Sequence, residues 1–236
     1  MNLFLSHGSF RSALVAMALG GLAACAVLRP AGYEDFHTAV SERDAIRIYD
    51  TLEALIAEDD DTRSDRKAAF AALRDRNEDT AEFQFAWAAV AGRLVQQRGL
   101  LAANLVKEVE KHARRSVELD PGFRHGAATR LLGTMYVIAP SSFVEYGNSE
   151  LGLEMLEGLV AQYPGDPENH LRTAEAYIAL NDPAPAAPHL CACLAVKDTM
   201  RKDDQALLEN LIADAGRFEC PGGPAVPEIK KKHDLE

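Results

Sequence analysis

Any chemistry in this chain has to come from its cysteines, histidines and charged side chains. Four cysteines stand at Cys25, Cys191, Cys193 and Cys220. His189-x-Cys191-x-Cys193 has the residue types of a zinc site but not the spacing. On a helix, residues 189 and 193 share a face, and residue 191 points roughly 160–200° away. One ion would not reach all three, so no metal is expected. There is no serine in a Gly-x-Ser-x-Gly turn and no His-Glu-x-x-His. Paired carboxylates fall only on faces that read as solvated. Glu58-Asp59-Asp60-Asp61 lacks the glycine and spaced ligands of a calcium loop and reads as a turn between helices. The chain therefore reads as a binding protein rather than an enzyme, with no cofactor.

The N-terminus decides where such a protein would sit. A short first segment has Arg11 as its only fixed positive side chain, and an apolar run follows from Ala13 to Ala24, broken only by Gly20 and Gly21. That run is shorter than the roughly 20 residues that span a bilayer, and it suits the core of a signal peptide. It ends in Leu22-Ala23-Ala24-Cys25, which resembles the lipobox of bacterial lipoproteins. The resemblance implies cleavage before Cys25, lipid on its thiol and on the new N-terminus, and durable anchoring by several chains. Ala26 follows, where an aspartate would signal retention at the inner membrane. This implies the outer membrane of a Gram-negative cell, facing the periplasm. Residues 1–24 are then a signal peptide, and residues 25–40, with Pro30, Gly32 and no periodicity, a lipidated tether. Export also permits one disulfide among Cys191, Cys193 and Cys220. Cys193 holds a packing position, so either Cys191 pairs with Cys220 or both remain thiols.

The elements between are helical. The chain has 236 residues and a formal charge of -11, which argues against a nucleic-acid partner. Alanine and leucine are abundant and β-branched runs are short, as in all-α proteins. Ser41 reads as a helix cap, ahead of Ala45, Ile48, Leu52 and Leu55 at helical spacing. The middle of the chain then repeats. Gly133 and Tyr136 reappear, 41 residues on, as Ala174 and Tyr177. A second spacing recurs in Val109/Ala113/Ser116, Gly152/Leu156/Leu159 and Ala186/Leu190/Cys193, with Pro121 and Pro164 just past the first two. A small residue followed by a packing aromatic, then a second packing helix, is the pattern of tetratricopeptide repeats. Helix pairs are expected near 42–76, 81–118, 125–162 and 167–196, with a capping helix near 202–217. The repeat domain would span 41–218, and 219–236 would be a disordered tail.

Residues 126–180 resemble a particular family, the T-component lipoproteins of tripartite ATP-independent periplasmic (TRAP) transporters. The resemblance is carried by Arg130-Leu131-Leu132-Gly133, Tyr136, Ala139-Pro140, an extended loop, Leu153-Glu154-Met155-Leu156-Glu157, Pro167-Glu168-Asn169-His170-Leu171 and Ala174-Glu175-Ala176. Residues 41–121 share only the pattern. The resemblance implies an all-α, tetratricopeptide-like superhelix of about four helix pairs, a homotrimer, and a periplasmic solute-binding protein as partner. It also implies a small hydrophobic or carboxylate ligand passed through a pore or concave channel. First helices line the concave face of such a superhelix, which makes Arg130, Asn169, His170 and Glu175 candidate contacts. Phe143 and Tyr146, in the extended loop, are candidates for a pore or interface, and Tyr136 for either core or binding surface. The competing class is a generic envelope scaffold whose superhelix holds peptides or assembles a complex.

Overall fold

A computed structural model describes residues 32–99, 103–221 and 225–226. The signal peptide, Cys25, the first part of the tether and most of the C-terminal tail lie outside the described residues. The fold is an all-α helical repeat, with ten α-helices among the described residues. They are α1 (Tyr33–Glu42), α2 (Ala45–Ala57), α3 (Arg63–Leu73), α4 (Ala81–Arg98), α5 (Ala103–Leu119), α6 (Ala127–Ile138), α7 (Ser149–Gln162), α8 (Pro167–Ala179), α9 (Ala186–Ala195) and α10 (Lys202–Ala215).

Local chemistry starts most of these helices. Each first turn leaves backbone N–H groups without partners, and a short polar side chain ahead of it accepts one or two. Asp44 accepts from Arg47 N–H, Thr80 from Phe83 N–H, Asn148 from Leu151 N–H and Asp166 from Glu168 and Asn169 N–H. Thr62 and Asp65 form a reciprocal capping box ahead of α3. Pro167 starts α8, where its missing N–H costs nothing. Gly126 precedes α6 at φ 77°, and a Cβ there would lie 2.2 Å from Leu159 Cδ2, so only glycine fits.

Helix hairpins α4/α5, α6/α7 and α8/α9 are the repeat units, and each packs on the next. The spacings read from the sequence are their contact faces. Val109, Ala113 and Ser116 are buried on α5, Gly152, Leu156 and Leu159 on α7, and Ala186, Leu190 and Cys193 on α9. Gly133 and Gly152 let α6 and α7 approach closely: a Cβ on Gly152 would sit 2.6 Å from Gly133 O. Tyr136 is buried against Gly147, where a Cβ would lie 2.4 Å from its ring. One core is built from α1 to α7 and a second from α8, α9 and α10. α10 also packs on α2, so the stack curls back upon itself.

Three boundaries differ from the sequence reading. Residues 33–40 are helical rather than tether, because Phe36 and Ala39 are fully buried in the first core. Two buried residues give too short a run for periodicity to register. Ser41 lies inside α1, where its hydroxyl donates to Thr38 O, and the cap of α2 is Asp44. At the other end, Phe218–Glu219 pairs antiparallel with Ala225–Val226, and Cys220 is bonded to Cys191 with Cα atoms 5.5 Å apart. Cys220 is thereby held to α9, and Ala225–Val226 is held to the short strand beside it. No described helix is long and apolar enough to cross a membrane.

Candidate ligand cavity

The inner faces of α2, α4, α6 and α8, with part of α5, line a partly open cavity of about 550 Å³. That lies within the few-hundred to thousand Å³ typical of small-molecule sites. Phe85 and Ala89 of α4, Val106 and Val109 of α5, and Leu131, Met135 and Ile138 of α6 give it an apolar wall. Phe143, in the loop between α6 and α7, completes that wall. The loop is fixed from below by Glu110. This carboxylate is almost fully buried and accepts backbone N–H groups of Glu145 at 2.7 Å and Tyr146 at 2.8 Å. A buried carboxylate holding two N–H groups is a strong clamp, so the extended loop is an ordered part of the wall.

The floor has the opposite character. Successive inner elements each send one arginine to it: Arg93 from α4, Arg130 from α6, Arg172 from α8 and Arg201 from the cap of α10. Each guanidinium is paired. Arg93 Nε donates to Glu53 Oε1 at 2.7 Å, and Arg201 Nη1 lies 2.9 Å from Glu53 Oε2. Arg130 donates to Glu168 at 2.5 Å and to Asn169 Oδ1 at 2.7 Å. Arg172 bridges Glu175 at 2.9 Å and Asp204 at 3.1 Å. Asp203 holds Arg201 at 2.5 Å and approaches Arg93 at 3.8 Å. The lattice joins α2 to α10 across the closure of the ring, and Lys202 pairs with Glu58 beside it. A second cavity opens beyond it and shares Tyr49, Glu53, Glu168 and Arg201 with the first. Three of these four, Glu53, Glu168 and Arg201, are members of the charge network, which therefore borders both cavities.

Burial shifts the protonation of these groups unevenly. It pushes the Asp204 carboxyl up despite the opposing fields of Arg172 and Arg201. At the more open Asp203 burial acts in the same direction and is the largest single influence, but the hydrogen bond and charge of Arg201, with the charge of Arg93, together outweigh it and the carboxyl is held low. Burial, then Glu53 and Glu168, push the Tyr49 phenol well above its usual range, so it stays neutral. Burial is the largest influence on the Arg93 guanidinium and opposes its charge, but the hydrogen bond and charge of Glu53, with the charge of Asp203, together outweigh it and the proton is kept.

The candidates from the sequence divide among several places. Arg130, Phe143 and Glu175 line the cavity. Asn169 is fully buried behind it, accepting from Arg130 and donating to His125 O at 3.4 Å. Arg130 and Glu175 do not pair with each other; their partners are Glu168 and Arg172. Tyr136 is core. Tyr146 is 56% exposed, with the Arg114 guanidinium 4.2 Å over its ring. His170 faces away from the cavity, its Nδ1 3.0 Å from His189 Nδ1 and its Nε2 2.9 Å from Pro164 O. The His189-x-Cys191-x-Cys193 residues part three ways. His189 meets His170, Cys191 meets Cys220, and the buried Cys193 thiol points to Pro167 O at 3.4 Å, its pKa pushed up by burial to about 12. No group of metal-ligating side chains comes together among the described residues.

Residues that the sequence reading passed over include Tyr49, Glu53, Arg93, Arg172, Arg201 and Asp204. A signal was present: Arg93, Arg130 and Arg172 lie on the first helices of successive hairpins. Neither a family model nor a curated protein matches the chain.

Proposed function

We propose that this chain is a lipid-anchored, tetratricopeptide-like binding module of a TRAP transporter, one that holds a small, largely apolar ligand in its central cavity and docks a periplasmic solute-binding protein. The observation that carries the reading is the closure of the helical stack by α10 on α2 around an apolar-walled chamber. An open superhelix presents a long groove to an extended peptide. Here Glu53–Arg201 and Glu58–Lys202 tie the two ends of that groove together. The closure favours a compact ligand over a peptide, and so the transporter module over the envelope scaffold. Lipid on Cys25 would hold the module at the membrane's periplasmic face. α1 begins at Tyr33, so the tether would be only a few residues long and the partner would have to come to the membrane. Cross-linking of the lipidated protein in its own cells, read by mass spectrometry, tests the reading. A periplasmic solute-binding protein among the cross-links is expected. Cross-links only to assembly factors or peptides would overturn it.

A further inference from the structure

The charges on the cavity floor constrain what the chamber can hold, an inference that rests on reading the cavity as a ligand site. An arginine in an apolar pocket usually signals a carboxylate ligand, because a buried guanidinium needs an anion. Here the protein supplies the anions itself. Arg93 and Arg201 share Glu53 and are flanked by Asp203, Arg130 has Glu168, and Arg172 has both Glu175 and Asp204. Four guanidinium groups therefore meet five carboxylates, of which Asp204 is pushed toward its neutral form by burial, so the floor is close to balanced in charge. An incoming carboxylate would have to displace an internal one or sit beside it, at a buried like-charge cost. An incoming ammonium would lose its hydration and find every carboxylate engaged. The remaining polar groups on the wall are neutral: the Tyr49 phenol, the Gln96 amide and Thr134, whose buried hydroxyl has no hydrogen-bond partner in the protein. We infer that the cavity selects a single-chain amphiphile whose polar end carries no net charge, such as an alcohol, an amide or an ester.

The test uses three probes of one chain length, 1-decanol, decanoate and decylammonium, at neutral pH. Each competes for the protein with N-phenyl-1-naphthylamine, an uncharged apolar fluorophore. Decanol should displace it at least about ten-fold more tightly than either ion, given the cost of an unpaired buried charge. Equal or tighter displacement by decanoate or decylammonium overturns the inference and leaves the cavity reading in place. Absence of saturable fluorophore uptake overturns both. A gain-of-function variant gives an independent measurement. The Glu168 side chain is 44% exposed, so Glu168→Gln should fold, and it leaves Arg130 with only neutral partners. The ratio of decanoate to decanol affinity should then rise about ten-fold, the cost of the like charge being removed. An unmoved ratio overturns the inference.

Discussion

Glu53→Ala is the sharpest perturbation of the ring closure. Glu53 is 5% exposed on α2 and is bound to Arg93 of α4 and to Arg201 at the start of α10. Removing one partner of a buried pair costs about 3–5 kcal/mol, because the other charge stays behind without compensation. Two facts lower that figure here. The Arg93 and Arg201 side chains are 20% and 30% exposed, and both keep Asp203 nearby. The expected loss is therefore about 2–3 kcal/mol, with the methylene packing of Glu53 included. A domain of this size loses roughly 2–4 °C of Tm per kcal/mol, so thermal unfolding followed by circular dichroism should fall by about 5–10 °C. Glu53→Gln, which keeps the volume and an acceptor, should recover part of this. Amide exchange should quicken in α2 and α10 before α6 and α7, since only the former pair meets across the closure. A loss below about 0.5 kcal/mol, the size expected of an exposed ion pair, would show that the closure does not depend on Glu53.

The Cys191–Cys220 bond closes a sequence separation of 29 residues, so Cys220→Ser should cost at most about 3–4 kcal/mol on loop-closure grounds, measured by urea unfolding. Without reduction, alkylation should find Cys193 unreactive in the native chain and labelled only after unfolding, since burial holds its thiol near 12. Two histidines should make stability fall in mild acid. Burial lowers both His112, which stacks on Trp87 at 3.9 Å, and His189, where the neighbouring His170 acts in the same sense. Their folded-state pKa values lie below the unfolded ones. Their contribution is whole above pH about 6.5 and is lost as pH drops through that value toward the folded pKa, the unfolded chain taking up protons first. The urea midpoint should drop from neutral pH into this window, and His112→Gln with His189→Asn should flatten the drop.

The fold was legible because the repeat spacings are packing constraints: Gly133, Gly152, Leu156 and Leu190 sit where helices cross, and their sizes follow from that. α1 was missed because its contribution to the core is Phe36 and Ala39, too few to set a period. Arg130, Phe143 and Glu175 reach the cavity because first helices and the extended loop face inward. His170, two residues before Arg172, lies on the outer side of the same helix, and position within a helix decides that rather than residue type. The charge network was not legible. Glu53, Arg93, Arg201 and Asp203 are brought together only when α10 returns to α2, and no local pattern encodes that return. The Cys191–Cys220 pairing was legible as the one alternative to free thiols, because Cys193 holds a packing position; that the bond forms depends on long-range placement, Cys220 lying beyond α10 and Cys191 within α9.

Filling the chamber tests the central claim most directly. Gly92 lines the cavity on α4, and a Cβ there meets nothing within 4 Å, so a large side chain can enter without moving the helix. Gly92→Phe replaces a helix-interior glycine and should leave stability unchanged or raise it by up to about 0.5 kcal/mol. In a titration with N-phenyl-1-naphthylamine, the parent chain should saturate at one probe per molecule, and Gly92→Phe should lose that uptake while unfolding at the same or a higher temperature. Uptake that persists undiminished in a well-folded Gly92→Phe would place the probe elsewhere and contradict the account.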